Sequence, residues 1–210
     1  MRLLLDSRAF LSRCLYGLFV RTMKPRRWNL IETEIVYRTP IFDLHRRHSG
    51  HPHRGRRDFF VIDAPHWVNI IPLTGDGAVV MVKQFRHGIR GFTLEIPGGM
   101  VDPEDETPKH AARREMVEET GYDSKRVSFL GRVHPNPAIE ENYCYTFLAR
   151  DVRMVGKPTP SGAEETDVVL VPLRTIPRLI ASEKITHALV IAAFSFFHVY
   201  NPPAIKLAGR

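Results

Sequence analysis

Cysteine is nearly absent from this chain, whose 210 residues hold only Cys14 and Cys144. A single pair cannot build a disulfide scaffold, and such usage fits a reducing compartment. No stretch of about 18 or more uninterrupted apolar residues occurs, which argues against a membrane-spanning helix. Internal repeats and an obvious interdomain linker are also missing. With 14 glycines, 16 prolines, 43% hydrophobic and 25% charged residues, the composition excludes collagen-like and wholly disordered readings. The length suits one domain, or one domain with an appendage.

Acid is scarce at the start. Residues 1–27 carry Arg2, Arg8, Arg13, Arg21, Lys24, Arg26 and Arg27 against Asp6 alone, a local +6 out of a net +7. The basic character therefore belongs to an N-terminal extension (1–27) and not to the domain behind it, and a nucleic-acid partner is not expected, the basic extension and the basic run at 45–57 being the only support for one. Within 1–22, Leu4, Leu5, Phe10, Leu11, Leu15 and Phe19 can share one side of a helix. An Arg-rich amphipathic start fits a mitochondrial presequence or a membrane-surface helix. The plainer alternative is a dispensable extension upstream of Met23. A secretory signal is disfavoured because Arg8 and Arg13 interrupt the apolar stretch. The expected location is the cytoplasm, or the mitochondrial matrix if 1–22 is a presequence.

From Trp28 the pattern is mixed α/β. Ile31, Thr33, Ile35 and Tyr37 alternate with polar residues, the period of a strand. The run His45 to Arg57, with four His and five Arg, reads as a long turn or hairpin tip. Its arginines oppose a bound cation, so it is not expected to hold zinc. Short apolar runs at 59–63, 67–73, 78–85, 127–133, 143–149 and 168–173 predict a largely buried sheet. A further strand, 92–99, should end in the turn Pro97-Gly98-Gly99. Thr107 as N-cap, Pro108 at the first position and Gly121 as the stop predict a helix over 107–120. Two more helices are expected near 174–182 and 186–199.

The chemistry gathers on the first helix. At about 100° per residue, Glu118 and Glu119 fall roughly 60° and 40° either side of Glu115, so three carboxylates share one face. Like charges so placed need an offset. Arg114, four residues before Glu118, supplies one charge, whereas Arg113 reads as an outer-face charge. Clustered carboxylate oxygens favour a hard divalent cation, Mg²⁺ or Mn²⁺, over zinc. The Pro97-Gly98-Gly99 turn would lay backbone groups beside them.

Gly99, Glu106 and the run Arg114-Glu115-Met116-Val117-Glu118-Glu119-Thr120-Gly121-Tyr122 resemble the signature of the Nudix hydrolases. Seven residues separate Glu106 from Arg114, as that signature requires, but six instead of five separate Gly99 from Glu106. Gln84-Phe85-Arg86, Leu94-Glu95-Ile96-Pro97-Gly98-Gly99, and Pro137 sixteen residues after Gly121 are similar to the ADP-ribose and nucleoside diphosphate sugar pyrophosphatase branch. Gly162-Ala163-Glu164-Glu165 resembles that branch's catalytic loop.

The resemblance implies an α/β fold, a Nudix α/β/α sandwich with a mixed central sheet and an N-terminal β extension. Its divisions would be a basic extension (1–27), N-terminal strands and basic hairpin (28–63), the hydrolase core (64–200) and a tail (201–210). It implies a Mg²⁺-dependent enzyme that splits the pyrophosphate of ADP-ribose or a nucleoside diphosphate sugar, working as a homodimer. Glu115 and Glu119 would be the main metal ligands, helped by Glu118 and the Gly98 carbonyl, with Arg114 holding the glutamates and Glu106 as a peripheral acid. Glu164 or Glu165 would be the general base. Arg86, Gly99, Pro137 and Glu141 would contact substrate. Two rival readings remain: hydrolysis of an RNA 5′ end or a dinucleoside polyphosphate, and a non-catalytic nucleotide-binding module. Cys144 reads as inert core, and His134 and His187 as structural.

Overall fold

The computed structural model describes residues 24–159 and 165–200. The amphipathic segment 1–22, the tail 201–210 and Glu164 lie outside the described residues. Strands β1 (Asn29–Arg38), β2 (Asp43–His51) and β3 (Gly55–Asp63) form a three-stranded sheet in that order. The chain divides into two compact units. Among the described residues, one is built from 24–33 with Arg47–Phe59, the other from Glu34–Arg46 with 60–159 and 165–200.

Of the two expectations for 45–57, a long turn or a hairpin tip, the structure shows the hairpin, and strand takes up most of the run. Only the short reversal at Pro52, His53 and Arg54 separates β2 from β3, closed by the Arg54 N–H donating to the His51 carbonyl at 3.3 Å. Charge of one sign concealed this, because the partners lie elsewhere. Arg46 pairs with Glu34 at 2.8 Å, and His48 with Asp58 at 2.7 Å. Opposite charges across strands stabilise a ladder that an all-basic reading treats as repulsive.

Within the larger unit a seven-stranded sheet runs β12 (Thr166–Pro172), β5 (Ala78–Arg86), β4 (Trp67–Leu73), β10 (Cys144–Arg150), β9 (Val127–Val133). Strand β6 (Gly91–Glu95) pairs with β5, and β7 (Gly98–Met100) with β4. The β4–β10 pair is parallel, from Trp67 opposite Cys144 to Leu73 opposite Arg150, and the other pairs are antiparallel, so the sheet is mixed. The short strands β8 (Tyr122–Asp123) and β11 (Arg153–Met154) form a separate pair.

Alternation along the central strands feeds two cores. Ile71, Val79, Met81 and Leu148 face α2 (Ile176–Ala181) and α3 (Ala188–Tyr200), where Ile176, Val190 and Phe194 are buried. Their sequence neighbours Ile70, Val80 and Phe147 face α1 (Pro108–Thr120), packing on Ala111, Ala112 and Met116. Side chains two apart share a face, so strands buried on both sides must be apolar throughout. The result is the expected α/β/α layering with a mixed sheet. Helix α1 begins where its cap chemistry places it, with Thr107 Oγ1 accepting from the His110 N–H at 3.2 Å. It ends at Gly121, whose φ is 72°.

One local expectation is corrected. The strand predicted over 92–99 ends at Glu95, and Gly98–Met100 is itself a strand. Strands β4 and β5 pair only at Leu73 and Val79, then separate. Strand β7 takes the vacated edge of β4, with Trp67 opposite Met100 and Asn69 opposite Gly98, and the Ile70 N–H donates to the Pro97 carbonyl at 2.9 Å. That split in the sheet creates the cavity described next.

Candidate active site

A cavity of about 740 Å³ opens where β4 and β5 part. Its walls include Asn69, Arg86, Glu95, Gly98, Gly99 and Glu115, with Arg114 and His187. The close approach of β7 to α1 on one side and to β4 on the other depends on two glycines. A Cβ on Gly99 would lie 2.6 Å from Glu115 Cδ, and one on Gly98 would lie 3.0 Å from Asn69 Cα while striking the Val68 carbonyl. Glu119, 3% exposed, accepts the Gly98 N–H at 3.2 Å. The turn and the helix face are thus one unit. Gly98→Ala should destabilise the protein by about 2–3 kcal/mol, because backbone and not a movable side chain blocks the new methyl group. Urea unfolding of the variant against wild type measures this.

Arg114 lies at the centre of the acids. Its guanidinium donates to Asp105 Oδ2 at 2.9 Å and Glu115 Oε1 at 2.9 Å, and reaches Asp102 at 3.1 Å and Glu118 Oε2 at 3.2 Å. It also donates to the Met100 carbonyl at 3.2 Å. Hydrogen bonding to Asp105 holds the Arg114 proton well above the ordinary arginine range, against the opposing effect of burial. The same bonds hold the Asp105 carboxyl below its usual value. Sequence reasoning paired Arg114 with the helix glutamates but missed Asp102 and Asp105, although both lie in the acidic loop before α1. Arg113, read as an outer-face charge, instead forks onto Asp123 at 2.7 and 2.6 Å and ties α1 to β8.

Glu95 is the second buried carboxylate, 3% exposed. Burial would raise its pKa, but hydrogen bonds from Arg86 and Thr93 outweigh it and hold the carboxyl below its ordinary value. Arg86 meets it fork to fork, Nε to Oε1 at 2.8 Å and Nη2 to Oε2 at 2.7 Å. The motif stretch contained Glu95, but nothing in the spacing showed that it would clamp Arg86. Strand pairing sets Arg86 opposite Gly91 and Glu95 opposite Val82, on one face of the sheet, and the long arginine side chain reaches along that face to the carboxylate.

The remaining residues read from sequence fall at varied positions. Glu115, Glu118 and Glu119 share the α1 face. Glu106 is 80% exposed and lies 3.6 Å from His110. Pro137 and Glu141 are exposed and are not among the residues lining the cavity. Glu140, in the same loop, is partly buried, and burial raises its carboxyl. Glu165 is exposed and immediately precedes β12. Cys144 is 1% exposed, and burial pushes its thiol up to about 12, which fits an inert core residue.

The donor set around Glu115 and Glu119 is all oxygen, the chemistry of a hard divalent cation. Among the described residues, however, no three His, Cys, Asp or Glu side chains converge on one point. Arg114 engages Glu115 and Glu118, and Gly98 engages Glu119. The carboxylates are gathered on one face but paired with these donors.

The NUDIX domain profile matches residues 65–194, more than half of the chain. The protein belongs to the Nudix family. Among curated relatives, an ADP-ribose pyrophosphatase of Bacillus subtilis (strain 168) is 25% identical over 178 residues, covering 84% of this chain and 96% of its own. An ADP-ribose pyrophosphatase of Mycobacterium tuberculosis is 27% identical, covering 80% and 82%. A solved structure described as an ADP compounds hydrolase superposes with a TM-score of 0.74 at 20% identity, covering 85% of this chain and 96% of that one. That last likeness is one of fold.

Proposed function

We propose that this Nudix protein hydrolyses the pyrophosphate bond of ADP-ribose or a related nucleoside diphosphate sugar, giving a nucleoside monophosphate and a sugar phosphate. The observation that carries the reading is one cavity walled by Gly98, Gly99 and Glu115, within the size range of small-molecule sites. The names of the relatives that align along most of their length support the substrate class.

Glu115 and Glu119, with Glu118 and the Gly98 carbonyl, would hold Mg²⁺, or Mn²⁺ in its place. Such a cation offsets charge on phosphate oxygens and acidifies water. The chain's own residues do the rest. Arg114 orients the glutamates by its salt bridges. Arg86, fixed by Glu95, presents a guanidinium at the cavity wall, a group matched to phosphate. Water adds to one phosphorus, the bridging P–O bond breaks with its electron pair on the departing phosphate, and a carboxylate takes the water proton. Glu164 or Glu165 supplies that carboxylate in this reading. Two contacts support it: the Thr159 N–H donates to the Glu118 carbonyl at 2.7 Å, and Thr166 Oγ1 to the Glu119 carbonyl at 3.3 Å. Both flanks of the loop are thereby held at the last turn of α1.

A homodimer belongs to the same proposal. All ten residues of β1 are exposed, Leu30 at 58% and Tyr37 at 64%, which leaves apolar strand surface for a second copy. The functional test is phosphate release with Mg²⁺ and a coupled phosphatase from ADP-ribose, nucleotide sugars, diadenosine polyphosphates and triphosphorylated RNA. Turnover of the first two groups above about 1 s⁻¹ supports the reading. Silence on both, with turnover of RNA or the polyphosphates, replaces it.

A further inference from the structure

The same cavity wall carries polar groups that the hydrolytic reading leaves unused. Asn69 on β4 is 6% exposed, and its Nδ2 donates to the Leu189 carbonyl in the first turn of α3 at 3.2 Å, while Oδ1 has no partner. His187 stands just before α3. Its Nε2 lies 3.9 Å from Glu95 Oε2, and its Nδ1 is buried without a partner. The Val190 and Ile191 N–H groups both donate to the His187 carbonyl at 3.1 Å. The preceding N–H groups, of Ala188 and Leu189, have no backbone acceptor among the described residues. Asn69, Glu95, His187, Ala188 and Leu189 all line the cavity.

An unsatisfied buried polar atom is costly, so such a group in a binding cavity points to a ligand that completes it. The pairing required here is specific. Asn69 Oδ1 accepts only, and the two helical N–H groups donate only. A phosphate would satisfy the N–H groups but oppose Asn69 Oδ1 and the nearby Glu95 carboxylate. An adenine edge offers one amino donor beside one ring acceptor, which leaves half of the set unpaired. Two adjacent hydroxyls match it: one donates to Asn69 Oδ1, the other bonds with His187 Nδ1, and both oxygens accept from Ala188 and Leu189. A hydroxyl also serves His187 in either state of its ring.

We infer that Asn69, His187 and the first turn of α3 form a subsite for a vicinal diol on the substrate's sugar. This rests on the reading of the cavity as a nucleoside diphosphate sugar site. ADP-ribose offers adjacent hydroxyls on both riboses, the 2′,3′ pair of the adenosine and the 1-, 2- and 3-hydroxyls of the terminal ribose, and the subsite takes one adjacent pair.

The test compares kcat and KM for ADP-ribose, its analogue deoxygenated at the adenosine 2′ position, and its analogue deoxygenated at the terminal ribose 2-position. Wild type, Asn69→Leu and His187→Ala are measured with each. One analogue should be at least about tenfold poorer for wild type, chiefly in KM, since a site built to bond a hydroxyl rejects a ligand lacking it. That ratio should fall to about twofold or less in the variants, and the disfavoured analogue identifies the ribose. Equal use of all three substrates by wild type, or undiminished discrimination in both variants, overturns the subsite. If circular dichroism shows that Asn69→Leu does not fold, the less buried His187→Ala carries the same comparison. A calorimetric titration without metal separates the two claims. It compares ribose 5-phosphate with 2-deoxyribose 5-phosphate, and AMP with 2′-deoxy-AMP. A protein that turns over no substrate refutes the hydrolase reading, whereas equal binding within both pairs refutes the diol subsite.

Discussion

Glu115→Gln is expected to lower kcat on ADP-ribose by at least about 10²–10³-fold, because a ligand charge that offsets phosphate in the transition state is worth several kcal/mol. The fold should survive. Glutamine keeps an oxygen for Arg114, which now meets Glu115 Oε1 at 2.9 Å, and it fits the space that Gly99 leaves. Coupled phosphate release gives the rate, and a circular dichroism melt gives the stability. A variant that melts like wild type and retains its kcat would remove Glu115 from the chemistry.

The second large effect concerns Arg114→Ala. Asp105, whose side chain is 8% exposed, would lose its principal partner, and Glu115, Glu118 and Asp102 would face one another without the cation. Truncating one partner of a buried pair costs about 3–5 kcal/mol, and the 29% exposure of Arg114 brings this case below that range, to about 2–3 kcal/mol. Activity should fall by about 10–100-fold, as it does when groups that orient metal ligands are removed.

The stability loss should depend on pH in a definite direction. The Asp105 carboxyl is held below its ordinary value in the fold. Its contribution is therefore fully present above the unfolded-state pKa of about 4, and is lost as pH falls through the lower folded value. The difference in melting temperature between wild type and variant should be constant near neutrality and narrow below about pH 4. A gap that stays the same down to pH 2 would mean that the cost comes from packing of the arginine stem and not from the Asp105 pair.

The parts legible in the sequence are those set by local rules. Thr107, Pro108 and Gly121 define α1 because capping depends on residues within one turn of each end. The helical period then places Glu115, Glu118 and Glu119 on one face whatever lies around them. Continuous apolar runs identified β4, β5 and β10, since a strand buried on both faces shows its environment in its own composition, and shorter apolar runs marked the half-buried edge strands β9 and β12.

What needed the tertiary structure was pairing across distance. Gly98 reaches Glu119 over 21 residues, and Asn69 reaches the Leu189 carbonyl over 120. Neither contact leaves a trace in either segment alone, because each depends on the separation of β4 from β5 and the insertion of β7. The extent of strand in the basic hairpin depended on distant residues too. Its like charges suggest a solvated turn until Glu34 and Asp58 are brought alongside by the register of the three-stranded sheet. The sequence by itself determined the acidic helix face and the apolar strands of a mixed α/β chain, because those follow from local spacing and burial pattern, and its resemblance to the Nudix signature implied the family and the layered fold. Only the tertiary structure decided which acids Arg114 holds, that Glu95 clamps Arg86, and which polar atoms line the cavity without partners, because long-range register brings those groups together.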